Sequence, residues 1–241
     1  MNTLAQLLRK GGKVPFPARR QSKLRNCPPP THVFTGRQDI LTKMREYFFD
    51  ALGKHHVFVL DGLGGAGKSQ IAFKFVNACQ VETQDPRYTT YFHDLHLCTG
   101  LTLLSRFSAV FYVDASTKET ISAGLINIAL AKGVGDSEEA ALDWLSEQRE
   151  WLLVLDNADD PTLNLRLYLP RCSHGNILIT SRNRDTCFYA PQSFQVSDMR
   201  PEDARDLLLK VTRYEHNNET EALASTTVKV HLLCLSNRSI R

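Results

Sequence analysis

The sequence predicts an α/β fold, a parallel sheet with helices on both of its faces. Three observations lead there. Apolar runs at 56–60, 108–115, 151–155, 175–180 and 194–196 have the length and apolar character of buried strands. Stretches with helical spacing alternate with them, as in strands joined by helical crossovers. A glycine-rich loop, Gly62-Leu63-Gly64-Gly65-Ala66-Gly67-Lys68-Ser69, joins the first run to the helical stretch Ile71–Val76.

The elements follow in order. Residues 1–38 carry eight basic side chains and no acid, and 1–31 add Gly11-Gly12, Pro15, Pro17 and Pro28-Pro29-Pro30. Such a stretch buries little apolar surface, so 1–31 reads as a flexible basic arm ending in a stiff spacer. A turn at Gly36-Arg37 leads into an amphipathic helix through Met44, Tyr47 and Phe48. Residues 79–106 show few periodic apolar positions. Beyond the strand at 108–115, Ser116-Thr117 caps a helix through Ile121, Leu125, Ile128 and Ala129, which Gly133 to Gly135 ends. Ser137 opens another helix through Leu142, Trp144 and Leu145. Pro201 stands in the first turn of a helix through Leu207 and Leu208, and a last helix begins at Glu221.

The totals exclude several classes. Hydrophobic residues are 42% and charged residues 23%, an ordinary globular balance. No apolar run nears the roughly 18 residues of a membrane span. The six cysteines lack CxxC spacing, which fits reduced thiols and a cytoplasmic setting. His93-x-x-His96-x-Cys98 has no second cluster to complete a metal site. Beyond residue 38 acids outnumber bases by five, whereas a nucleic-acid enzyme spreads basic surface over its body. Nucleic acid is therefore not the expected partner, and the basic arm reads as a solvated tail, with contact to RNA, anionic lipid or a targeting receptor as the alternative.

The loop fits G-x-x-x-x-G-K-[ST] at every fixed position and has the strand–loop–helix context that this pattern needs. A phosphate chain requires backbone N–H groups turned towards it at close range, and glycines permit that approach. The helix start adds its unpaired N–H groups and positive dipole end. Lys68 can reach the β- and γ-phosphates, and the Ser69 hydroxyl can ligate Mg²⁺. The expected ligand is a nucleoside di- or triphosphate. A strand that ends in Asp156, 87 positions after Ser69, is the Walker B pattern, with Asp156 as the second Mg²⁺-holding residue.

Four motifs in order then carry a resemblance. Val33-Phe34-Thr35-Gly36-Arg37-Gln38, the phosphate loop, the Asp156 strand and Thr180-Ser181-Arg182 together resemble the nucleotide-binding domain of STAND ATPases, and within them NB-ARC domains of NLR-like proteins. The resemblance spans roughly 32–229 and implies a P-loop NTPase fold with a five-stranded parallel sheet, the Arg182 strand lying between the other two motif strands. It implies ATP or ADP with Mg²⁺ as cofactors. The residues it places on the nucleotide are Phe34, Gly36 and Arg37 at the base, and Gly62, Gly64, Gly65, Ala66, Gly67, Lys68, Ser69 and Gln70 at the phosphates. Lys68, Asp156 and Arg182 would act on the γ-phosphate, and Ser69 and Asp156 on the metal. It also implies protein partners or self-association in full-length relatives.

The departures bear on activity. The family's second acid after Asp156 is Asn157 here, and an amide cannot take a proton from water at neutral pH. Hydrolysis is expected to be slow, unless Asp159 or Asp160 substitutes. An AAA+ type turnover ATPase, or a module that binds nucleotide without hydrolysis, is the alternative. The match is interrupted at 88–106 and fails after Lys229, so the helical subdomain and its histidine motif do not follow. Both 88–106 and the tail 230–241 are read as translated intron, because the first is bounded by arginines and the second opens with Val230, whose codon begins with the bases that open most introns. The alternative is a genuine family-specific loop and a natural short C-terminus.

Overall fold

A computed structural model of the protein describes residues 24–25, 27–50, 54–79, 107–212 and 218–236. The suspected insert at 88–106 and the His93–Cys98 grouping lie outside these residues. The described chain runs β1 (Leu24–Arg25), α1 (Gln38–Phe49), β2 (His55–Asp61), α2 (Lys68–Ala78), β3 (Ala109–Asp114), α3 (Lys118–Lys132), α4 (Glu138–Glu147), β4 (Trp151–Asp156), β5 (Gly175–Ser181), β6 (Gln192–Gln195), α5 (Pro201–Thr212) and α6 (Asn218–Ser236). Short 3₁₀ turns occupy Leu165–Tyr168 and Arg184–Tyr189.

All strand pairs are parallel, in the order β1-β3-β4-β5-β2-β6. The expected five-stranded parallel sheet is therefore present, with β5 between β4 and β2, and β1 adds a two-residue strand at one edge. Alternation along each strand sends neighbouring side chains to opposite faces. On β4, Trp151, Leu153 and Leu155 join the core under α3 and α4, whereas Leu152 and Val154 join the core with α1 and α2. Both faces of β4 are buried along its whole length, which explains a sequence that is apolar without alternation.

Local signals set the helix ends. The Thr117 hydroxyl accepts from the Thr120 N–H at 3.2 Å, and Thr120 returns the bond in a capping box. Gly133 ends α3 in the left-handed conformation at φ 69°. Ser137 caps α4 through the Ala140 N–H at 3.2 Å. An aromatic group of Phe48, Phe58, Phe75 and Phe107 seals the α1–α2 face, with ring centroids between 5.4 and 6.4 Å apart.

Two boundaries differ from expectation. The sheet begins inside the proposed arm: β1 pairs Leu24 with Val110 and Arg25 with Phe111, and Cys27 is buried in the α1–α2 core. A two-residue strand leaves no periodicity, and charge and proline content masked it. The last strand covers Gln192–Gln195 rather than centring on 194–196, although the Val196 N–H still donates to the Asp61 carbonyl at 2.7 Å. Helix α6 spans Asn218–Ser236 and so continues past Lys229, where the family match ends.

Candidate phosphate-binding site

The loop between β2 and α2 sits at the carboxyl edge of the sheet, where open α/β sheets bind ligands. Gly62, Gly65 and Gly67 adopt φ of 145°, 80° and 91°, a region that side chains with a Cβ rarely enter. These turns carry the backbone from strand into helix within six residues. Gly67 is the N-cap of α2 and no side chain caps it, so the first-turn N–H groups that carry the positive dipole end stay available to an anion. Ser69 and Gln70 lie in that first turn. The Gln70 side chain accepts the Thr31 N–H at 2.7 Å, which ties the preceding segment to α2.

Lys68 is buried, and its ammonium donates to the carbonyls of Gly62 at 2.8 Å and Leu63 at 2.9 Å. Burial holds its pKa below the ordinary lysine value. Asp159, Asp156 and Asp61 pull upwards and Arg182 downwards. These charged groups stand at or just after the ends of β2, β4 and β5.

Asp156 ends β4 on the α2 face and is bracketed by hydroxyls from both neighbouring strands. Thr180 of β5 donates to its Oδ1 at 2.5 Å, and Tyr112 of β3 donates to its Oδ2 at 3.3 Å. The registers explain this. Tyr112 pairs with Val154, so Asp156 is its diagonal neighbour on the same face, and the pairing of Leu155 with Ile179 brings Thr180 beside Asp156. Burial first, then the Asp156 charge, push the Tyr112 phenol up, which keeps its proton in place for this bond. Tyr112 was not among the expected site residues. Its signal is parity with Val110 on a strand adjacent to Asp156, and it needs the strand order to be read.

Arg182 follows β5. Its N–H donates to Asp159 Oδ1 at 2.6 Å, and its Nε stands 3.1 Å from Asp159 Oδ2. A Cβ built on Gly64 would meet Cζ and Nη1 of Arg182 at 3.2 Å, so the guanidinium lies against the loop. Asn157, at the position of the missing acid, is exposed and left-handed at φ 64°. Asp160 is engaged locally by the Thr162 N–H and hydroxyl at 2.8 and 2.7 Å, which hold its carboxyl below the usual range.

The Phe34–Arg37 segment lies across the loop's other flank. The Arg37 guanidinium donates to the carbonyls of Ala66 at 3.2 Å, Ser197 at 2.8 Å and Asp198 at 3.3 Å. Gly36 is left-handed at φ 69° and packs against the Asp203 side chain of α5. Phe34 is half-buried, with Lys74 of α2 over its ring at 5.6 Å. The structure thus gathers Lys68, Asp156 and Arg182 around the loop, and sets Phe34, Gly36 and Arg37 on the α2–α5 side of it.

Ser69 and Asp156 offer hydroxyl and carboxylate oxygens, the hard donors that suit Mg²⁺. Among the described residues no other cluster of His, Cys, Asp or Glu could hold a metal ion, and no helix is long and apolar enough to cross a membrane.

No protein-family model matches the chain, and no curated protein matches it. Among solved structures it is similar to the crystal structure of a Signal Transduction ATPase with Numerous Domains (STAND) protein with a tetratricopeptide repeat sensor from Pyrococcus horikoshii. The identity is 19% and the TM-score 0.41, over 85% of this chain and 28% of the other. At that level of likeness, the sheet order and the loop of this chain bear on its function, and the neighbour does not.

Proposed function

We propose that this chain is the nucleotide-binding domain of a STAND-type signalling ATPase of the NB-ARC kind, a switch that holds ADP or ATP with Mg²⁺. The observation that carries the reading is the loop Gly62–Ser69 with Asp156 and Arg182 at the ends of the neighbouring strands. Lys68, freed from the Gly62 and Leu63 carbonyls, would take the β- and γ-phosphates. Ser69 and Asp156 would hold Mg²⁺, which offsets the charge of the phosphate oxygens when bound. Arg182 would reach the γ-phosphate, and Phe34, Gly36 and Arg37 would border the base. Protein partners and self-association belong to the same reading, in a cytoplasmic setting.

Asn157 favours a switch over a turnover enzyme, since no carboxylate follows Asp156 directly. The central test is titration with Mg-ATP. Lys68→Ala or Ser69→Ala should weaken binding about ten-fold or more, because a charge-assisted contact contributes about 1.5–3 kcal/mol. Unchanged affinity in the folded variants would remove the proposal.

A further inference from the structure

We infer that Asp159 is a positioning residue for Arg182, gripping it by Nε and by its backbone amide and so setting the preference for a nucleoside triphosphate over a diphosphate. The inference rests on the nucleotide reading above. Both oxygens of Asp159 are used on one residue, at 2.6 and 3.1 Å. That double grip fixes the base of the guanidinium fork. The terminal nitrogens hold no hydrogen bond among the described residues, and Nη1 lies against Gly64 of the loop. An arginine presented in this way has its remaining donors aimed by the protein before a phosphate arrives, which lowers the ordering cost of binding.

The platform beneath Asp159 is itself fastened to β5. The Asn157 N–H donates to Thr180 Oγ1 at 3.0 Å, the Ala158 N–H to the Thr180 carbonyl at 2.9 Å, and the Ser181 hydroxyl to the Ala158 carbonyl at 2.6 Å. The two strand ends therefore move as one unit, and the Asp159–Arg182 distance is built into the backbone. The side chains are 30% and 65% exposed, so the pair adds little to folding. Orientation is what remains for it to contribute. With both oxygens committed to Arg182, Asp159 is also a poor replacement for the acid missing at Asn157.

Charge and orientation act in opposite directions, which makes the role separable. Asp159 lies close enough to Lys68 to raise its pKa, so its carboxylate repels a polyphosphate. If charge alone mattered, Asp159→Ala would strengthen binding, and more for ATP than for ADP. If Asp159 aims Arg182, the same substitution lowers the ratio of ATP to ADP affinity. Calorimetric titration of the full chain with Mg-ATP and Mg-ADP decides between these, using wild type, Asp159→Ala, Arg182→Ala and the double variant. The expected result is a ratio about three-fold lower or more in Asp159→Ala, within reach of one well-placed ion pair. ADP affinity should be unchanged or raised, and the ratio should fall no further in the Arg182→Ala background. Asp159→Asn, which keeps one acceptor for the Arg182 N–H, should fall between. An unchanged or higher ratio in Asp159→Ala, or an equal drop without Arg182, overturns the role while leaving the nucleotide site intact. Failure of wild type to bind either nucleotide overturns both.

Discussion

The Thr180 hydroxyl donates to Asp156 Oδ1 at 2.5 Å while accepting the Asn157 N–H at 3.0 Å, so its single proton can go only to the carboxylate. Thr180 is fully buried, and Thr180→Val keeps its shape but strands both partners. A loss of about 1–3 kcal/mol in urea-unfolding stability is expected. Mg²⁺-dependent nucleotide affinity should fall more than affinity measured with a chelator. Tyr112→Phe should act in the same direction and less strongly, because its bond is longer at 3.3 Å and only part-buried. The reverse ranking would show that the bracket does not orient Asp156.

Turnover in the wild-type chain should be below about one per second, slower than most enzymes. Asn157→Asp should raise it. The left-handed backbone at φ 64° tolerates aspartate as well as asparagine, so the substitution introduces an acid without distorting β4. A phosphate-release assay on the two proteins checks this. No gain in a folded variant that still binds Mg-ATP would show that the barrier lies elsewhere.

The central strands and the order of motifs were legible because β2, β4 and β5 are buried on both faces and each motif is local in sequence. The place of β5 between β4 and β2 followed from the family resemblance, and the registers agree with it. The second layer of the site was not legible. Asp159 reads alone as one of two acids in a loop, and only the adjacency of β4 and β5 turns it into the partner of Arg182. Tyr112 likewise becomes a partner of Asp156 only once β3 is placed beside β4. The arm boundary failed for a different reason. Cys27 is one apolar residue in a basic, proline-rich stretch, and nothing in its neighbourhood signals that it enters a core.

Arg37 should behave differently from Arg182. It is left-handed at φ 63° and its guanidinium satisfies three carbonyls, one of them in the phosphate loop. Arg37→Ala should cost about 1–3 kcal/mol of stability and weaken ADP and ATP alike. Arg37→Gly should cost less than Arg37→Ala, by about 1 kcal/mol, since glycine removes the backbone strain. Paired titrations and chemical denaturation measure both effects.

Cys27 provides a pH test of the early entry into the core. Burial first, and the Asp156 charge second, push its thiol up to about 12 from an ordinary 9.0. The folded protein therefore retains a proton that the unfolded chain releases, and the stability linked to it is complete below about pH 9 and lost as pH rises towards 12. Cys27→Ala should show a shallower loss of stability than wild type in urea titrations between about pH 8 and 11. Parallel curves would place Cys27 in solvent.

The position of β2 between β5 and β6 has a consequence for synthesis. The strand that carries the phosphate loop finds its first partner 120 positions downstream, where His55 pairs with Gly175, and its second where Phe58 meets Gln192. A ribosome would deliver the apolar run 56–60 long before either neighbour exists, and pairing at such separation is slow. Until then, this edge is a sticky surface of the nascent chain. On this topology the strand that leads into the loop is flanked on both sides only after β6 has emerged. Holding by chaperones should therefore be needed up to the emergence of β6, and binding of nucleotide would report that translation has passed it.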